Sequence, residues 1–172
     1  TTADNRGVLL FGGYQWDAMS GAELAQGHNS AFVDKQNRAF VVYHTRFSNG
    51  GEGHQVRVHQ LFLNDEGWLM AAPFEFDGET ITDEAIASKA SISDTDIAGD
   101  YQFMRHQYGQ NTKAKAFETP VNITLNADGT ITGAEKGTWK RTAGTDYIHL
   151  TINNVVYRGV LVKQTIDYTN IP

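Results

Sequence analysis

Short runs of β-branched and aromatic residues, broken by polar turn clusters, recur along most of the chain. Residues 30–33 and 39–47 flank the turn 34–38, and 54–63 and 68–71 flank Asn64-Asp65-Glu66-Gly67. Residues 121–125 and 130–132 flank Asn126-Ala127-Asp128-Gly129, and 147–152 meets 155–162 at Asn153-Asn154. Apolar runs joined by Asn, Asp and Gly are the sequence form of antiparallel hairpins, because these residues accept the backbone conformations that tight turns need. No stretch keeps apolar residues at helical spacing for three turns. The best candidate, residues 82–90, is short and weakly amphipathic and reads as a connector. The pattern predicts an all-β chain in two strand-rich halves, residues 1–82 and 98–172, joined by a linker at 83–97.

Composition narrows the classes. The 14 Lys and Arg against 20 Asp and Glu give a net charge of −6 with no basic cluster, which argues against a nucleic-acid partner. The absence of Cys removes disulfides, thiolate metal sites and a cysteine nucleophile. No apolar run reaches the roughly 20 residues of a membrane helix, so no membrane partner is expected. The first residues have neither the basic nor the apolar region of a signal peptide. The chain lacks an initiating Met and soon enters the apolar run 8–11, so it is expected to begin inside a larger protein.

Among candidate groups, His28 stands in Gly27-His28-Asn29-Ser30 at the head of an apolar run, where its imidazole can ligate a metal, exchange a proton or simply be exposed. His54 and His59 lie five apart, which sends their rings to opposite faces of a strand and argues against a shared ion. His44 with Arg46, and Arg57 with His59, make two polar stripes expected to be solvated or channel-facing. Trp16, Tyr43, Trp68, Trp139, Tyr147 and Tyr157 suit a β core, and also stacking on sugar rings. Glu52, Glu66, Glu75 and Glu79 fall mostly in turns, and no catalytic carboxylate pair stands out. The nucleophile elbow, phosphate-binding loop and zinc-helix motifs are absent.

Several strings together carry a resemblance: Gly7 to Trp16, Gly27-His28-Asn29-Ser30-Ala31, residues 42–47, residues 54–62 and Ala72-Pro73-Phe74-Glu75-Phe76. They resemble the closing part of the catalytic propeller of the endo-α-1,5-L-arabinanases of glycoside hydrolase family 43. Residues 98–103, Val121-Asn122-Ile123-Thr124-Leu125, Gly137-Thr138-Trp139 and 157–164 are similar to the β-barrel-like domain that follows that propeller.

The resemblance implies the closing blades of a five-bladed β-propeller followed by a barrel- or sandwich-like accessory domain. It implies inverting hydrolysis of arabinan by carboxylates roughly 6.5–9.5 Å apart. In the family these lie upstream of the matched segment, so the chain alone is expected to be inactive and to need the N-terminal propeller part. His28 matches the family's axial histidine, which helps hold a cation, usually calcium with water ligands. The resemblance further implies an extracellular or periplasmic location. A non-catalytic carbohydrate-binding module, or a purely structural β domain, remains the alternative. A propeller opened to its last blades would expose unpaired sheet edges and is expected to associate.

Overall fold

The structure is a computed structural model that describes residues 9–106 and 117–166. Gly7, Val8 and the last residues of the chain, 167–172, lie outside the described residues.

The all-β expectation holds. Strands β1 (Glu23–Val33), β2 (Ala39–Phe47), β3 (Gln55–Leu63) and β4 (Leu69–Ala71) form one antiparallel sheet in sequence order. Strands β5 (Gly99–Phe103), β6 (Val121–Leu125), β7 (Thr130–Gly133), β8 (Gly137–Arg141), β9 (Tyr147–Ile152) and β10 (Val155–Val160) form a second, again antiparallel and in sequence order.

The turns explain the registers. Asn64 Oδ1 accepts from the backbone N–H of Glu66 and Trp68, while Gly67 takes a φ of 79°, so the β3–β4 turn is closed by its own side chain. Between β9 and β10, Asn153 and Asn154 both have positive φ, 50° and 64°, and Ile152 faces Val155 across the turn. Two left-handed residues in succession match the twist of a two-residue hairpin. Gly137 has another reason to be glycine: a Cβ there would lie 1.9 Å from the Thr151 carbonyl oxygen on the neighbouring strand.

The second sheet curls. Phe103 on β5 and Tyr157 on β10, at its opposite edges, meet edge-on with ring centroids 5.7 Å apart. Inside lie Ile123, Leu125, Ile131, Ile148 and Ile152, together with Ile92 and Ile97 from the connector. Alternate positions such as Ile123 and Leu125 point inward because successive side chains leave opposite faces of a strand.

Two short helices, α1 (Asp83–Ser88) and α2 (Asp94–Ile97), occupy the connector, capped by Thr82 and Ser93. The buried Ile86 of α1 packs with Phe62 and Ala72 beside the first sheet, and Ile97 packs in the second core. A strap, residues 73–77, continues from β4. The Phe76 N–H donates to Val58 O, and both backbone groups of Phe74 bond the Gln164 amide at 3.2 Å. Tyr14 adds a further seam, bridging Glu23 on one side and Glu118 on the other.

Candidate functional site

His28 lies on β1, the edge strand of the first sheet, and its side chain is exposed. The strand is irregular here: its register against β2 shifts on both sides of Gly27, and Ala25 and His28 have φ values of 55° and 50°. Such bulges re-aim side chains at sheet edges. The His28 ring stands edge-on to His44 at 5.8 Å, and His44 stands edge-on to His54 at 4.9 Å. Arg46 Nε donates to His54 Nε2 at 2.9 Å, and the Arg46 guanidinium also pairs with Glu52. Three imidazoles therefore run in a row along one face and end in an ion pair.

Among the described residues no group of three or more His, Cys, Asp or Glu could hold a metal ion. Calcium prefers oxygen ligands in greater number than this face offers. These residues fit such a cation only as the donors of one imidazole, with other ligands coming from water or from outside the described residues.

The other face of the same strands is buried, which differs from the expectation for the Arg57–His59 stripe. Arg57 is 7% exposed and His59 2%, because the strap and the segment at Tyr14 cover them. His59 and His54 do point to opposite faces, as their spacing requires.

At the centre of this buried face is Glu23, 2% exposed, which the sequence reading did not single out. Tyr14 OH donates to its Oε2 at 3.1 Å, and Tyr43 OH lies 2.7 Å from Oε1. The same Tyr43 oxygen is 3.0 Å from His59 Nε2, and His59 Nδ1 is 2.8 Å from the Ala72 carbonyl oxygen. A carbonyl can only accept, so Nδ1 carries a proton and Nε2 of a neutral ring is bare. Tyr43 has one proton for two neighbours. With Glu23 ionised and His59 neutral, one contact faces lone pair against lone pair. A proton on the Glu23 carboxyl, donated to Tyr43, lets Tyr43 donate onward to His59 and completes the chain. Burial favours this state: it pushes the Glu23 carboxyl up, against the hydrogen bonds from Tyr43 and Tyr14 and the charge of Arg57, and it pushes the His59 imidazole down. The only advance signal for Glu23 was a lone acid in the apolar run Ala22-Glu23-Leu24-Ala25.

Of Glu52, Glu66, Glu75 and Glu79, three are in ion pairs. Glu52 pairs with Arg46, Glu66 with Arg158 at 2.9 Å and Glu75 with Arg57 at 3.5 Å. Tyr43 is buried, whereas Trp68 is 57% exposed beside its turn.

A bulged four-stranded meander followed by a curled six-stranded sheet is the architecture expected of a propeller's closing part with a barrel-like appendage. Residues 73–170 match the C-terminal lipocalin-like domain of glycoside hydrolase family 43, and the chain belongs to that family. The extracellular endo-α-(1→5)-L-arabinanase of Thermotoga petrophila is 39% identical over 95% of this chain and 34% of its own length. The extracellular endo-α-(1→5)-L-arabinanase 2 of Bacillus subtilis is 38% identical over 92% of this chain and 32% of its own. Among solved structures, the Thermotoga petrophila endo-1,5-α-L-arabinanase superposes with a TM-score of 0.76 at 40% identity, covering 91% of this chain and 33% of that one. A family 43 glycoside hydrolase of Bacillus licheniformis gives 0.74 at 36% identity, covering 88% and 32%. The chain thus spans about a third of the length of these relatives. Among the described residues no helix is long and apolar enough to cross a membrane.

Proposed function

We propose that this chain is the C-terminal portion of an endo-α-1,5-L-arabinanase acting outside the cytoplasm, with residues 1–82 closing the propeller, 83–97 linking and 98–172 forming the accessory domain. The observation that carries the reading is the extent of the likeness: both sheets, not the family domain alone, align with proteins named as arabinanases at close to 40% identity. The catalytic carboxylates lie on the N-terminal part of the complete polypeptide. What this chain brings is the bulged edge strand β1, which presents His28 toward whatever completes the propeller, and the curled sheet that braces it.

In the complete enzyme His28 would be one ligand of a calcium ion, the other ligands coming from water or from outside the described residues. Calcium beside an inverting acid–base pair would supply positive charge that stabilises ionised carboxylates. The part played by this chain's own residues is to hold the imidazole in place: the left-handed backbone at His28 sets its direction, and the His44 ring limits its rotation.

Reducing-end release from linear arabinan tests the proposal. The chain alone should release none, and addition of a polypeptide carrying the preceding blades should restore hydrolysis; turnover by the chain alone would overturn it. In the complete enzyme His28→Ala should lower calcium content and rate together. Unchanged calcium content would remove the ligand role.

A further inference from the structure

We propose that the cleft between the strap 73–77, β3 and the segment around Trp16 is a binding site for a neutral sugar unit, and, resting on the arabinanase reading, that its occupant is a short stretch of arabinan. The cleft has a volume of about 260 Å³, just below the roughly 300–1,000 Å³ of drug-sized sites, so its occupant is small.

Its walls are aromatic and fixed before any ligand arrives. Trp16 and Phe74 pack against each other at a tilt, with ring centroids 6.1 Å apart at 49°, and Phe47 lies under the Arg57 guanidinium at 4.9 Å. The strap cannot swing freely, because Gln164 holds both backbone groups of Phe74 and Phe76 is bonded to β3. Glu23 and His59 line the cleft as well.

Beside the rings the polar groups of the lining offer both kinds of hydrogen bond. Arg57 is a buried donor that reaches Val56 O at 3.0 Å, Gln55 Oε1 at 2.5 Å and, loosely, Glu75 at 3.5 Å, which engages three of its five N–H groups, and Glu75 stands at the exposed mouth with acceptor capacity to spare. Among the described residues the Asp77 carboxylate accepts no hydrogen bond, and the buried indole N–H of Trp16 has no acceptor. That N–H is sealed away from the cleft, so Trp16 offers the cleft its apolar ring and not a donor. Acids outnumber the single guanidinium in the lining, which disfavours phosphates and uronic acids. Apolar ring faces combined with donors and acceptors and no net attraction for anions select a neutral, hydroxyl-rich ring.

The complete polypeptide, ¹⁵N-labelled at tryptophan, tests this by titration with α-1,5-L-arabinobiose, the Trp16 indole signal being assigned from Trp16→Phe. We expect a saturable shift of that signal, a Kd raised about tenfold by Glu75→Gln and loss of the shift in Phe74→Ala. Absence of a saturable shift with both arabinobiose and xylobiose, or an unchanged arabinobiose Kd in Glu75→Gln, overturns the site. Xylobiose separates the two readings. If it moves the indole and arabinobiose does not, the cleft is a sugar site and arabinan is the wrong occupant. If neither moves it while the enzyme still cleaves arabinan, the cleft proposal alone fails.

Discussion

Glu23 concentrates the chemistry of the buried face in one carboxyl. Its folded-state pKa is raised, so folding is favoured while both states hold the proton, and that stability is lost as pH rises from the ordinary glutamate range through the raised value. Urea melts of the complete polypeptide between about pH 4 and 8 should show this decline, at most about 1.4 kcal/mol per pH unit for one proton. Glu23→Gln should flatten it. Because an amide imitates the protonated carboxyl toward Tyr43, the same variant should cost no more than about 1 kcal/mol at neutral pH. A loss of about 3 kcal/mol or more there would mean that the ionised form is the native one. His59 contributes the opposite slope: with its pKa depressed by burial, stability present above the ordinary histidine range falls as pH drops toward the folded value. The stripe containing Arg57 and His59 was legible as one face of a strand from its spacing, but its burial was not. What covers it, Tyr14 and the strap, is distant in sequence.

Hairpins are the elements the sequence shows best, since their signals are local. The β9–β10 turn is an example: Asn153-Asn154 between apolar runs gave its position, and the left-handed φ of both residues gives the reason. Asn154→Gly should hold or slightly raise stability, because glycine adopts this conformation without strain. Asn154→Val should cost about 1–2 kcal/mol, as a side chain branched at Cβ strains the left-handed region. Thermal melts of the two variants check the pair, and equal stabilities would contradict the turn assignment. β1 was less legible. Only residues 30–33 read as strand, yet the strand begins at Glu23, because its first half is bulged and breaks the alternation on which such a reading depends.

Across the whole molecule, two contacts of different kind join the sheets. Asp65 in the β3–β4 turn lies 2.6 Å from His149 Nε2 and 3.4 Å from Arg158, while Glu66 also reaches Arg158. The connector is tied more deeply. The Asp146 carboxylate accepts from the backbone of Ser91 and Ile92 and from Arg141 at 2.8 Å, and its own N–H donates to Ile86 O. Burial raises the Asp146 pKa, but the hydrogen bonds from Ser91 and Arg141 outweigh it and the net shift is downward. Asp146→Ala should therefore cost about 2–3 kcal/mol, since it leaves the amides of Ser91 and Ile92 without their acceptor and takes from Arg141 one of two carboxylates, Asp94 being the other. Asp65→Ala, at a partly solvated contact, should cost about 1 kcal/mol or less. Chemical denaturation of the two variants measures the difference; the reverse order would mean that the outer clasp, not the connector, holds the sheets together.

By itself the sequence determined that the chain is built of antiparallel hairpins, where most of them turn, and which enzyme family it resembles. Each of those rests on neighbours in the chain: turn residues, alternation, and short strings such as Gly27-His28-Asn29-Ser30. Tertiary structure alone decided which face of β2 and β3 is dry, that Glu23, Tyr43 and His59 share a line of hydrogen bonds, and that Trp16, Arg57 and Phe74 surround one cleft. Burial and proton sharing depend on groups that only folding brings together, and local sequence carries no record of that distance.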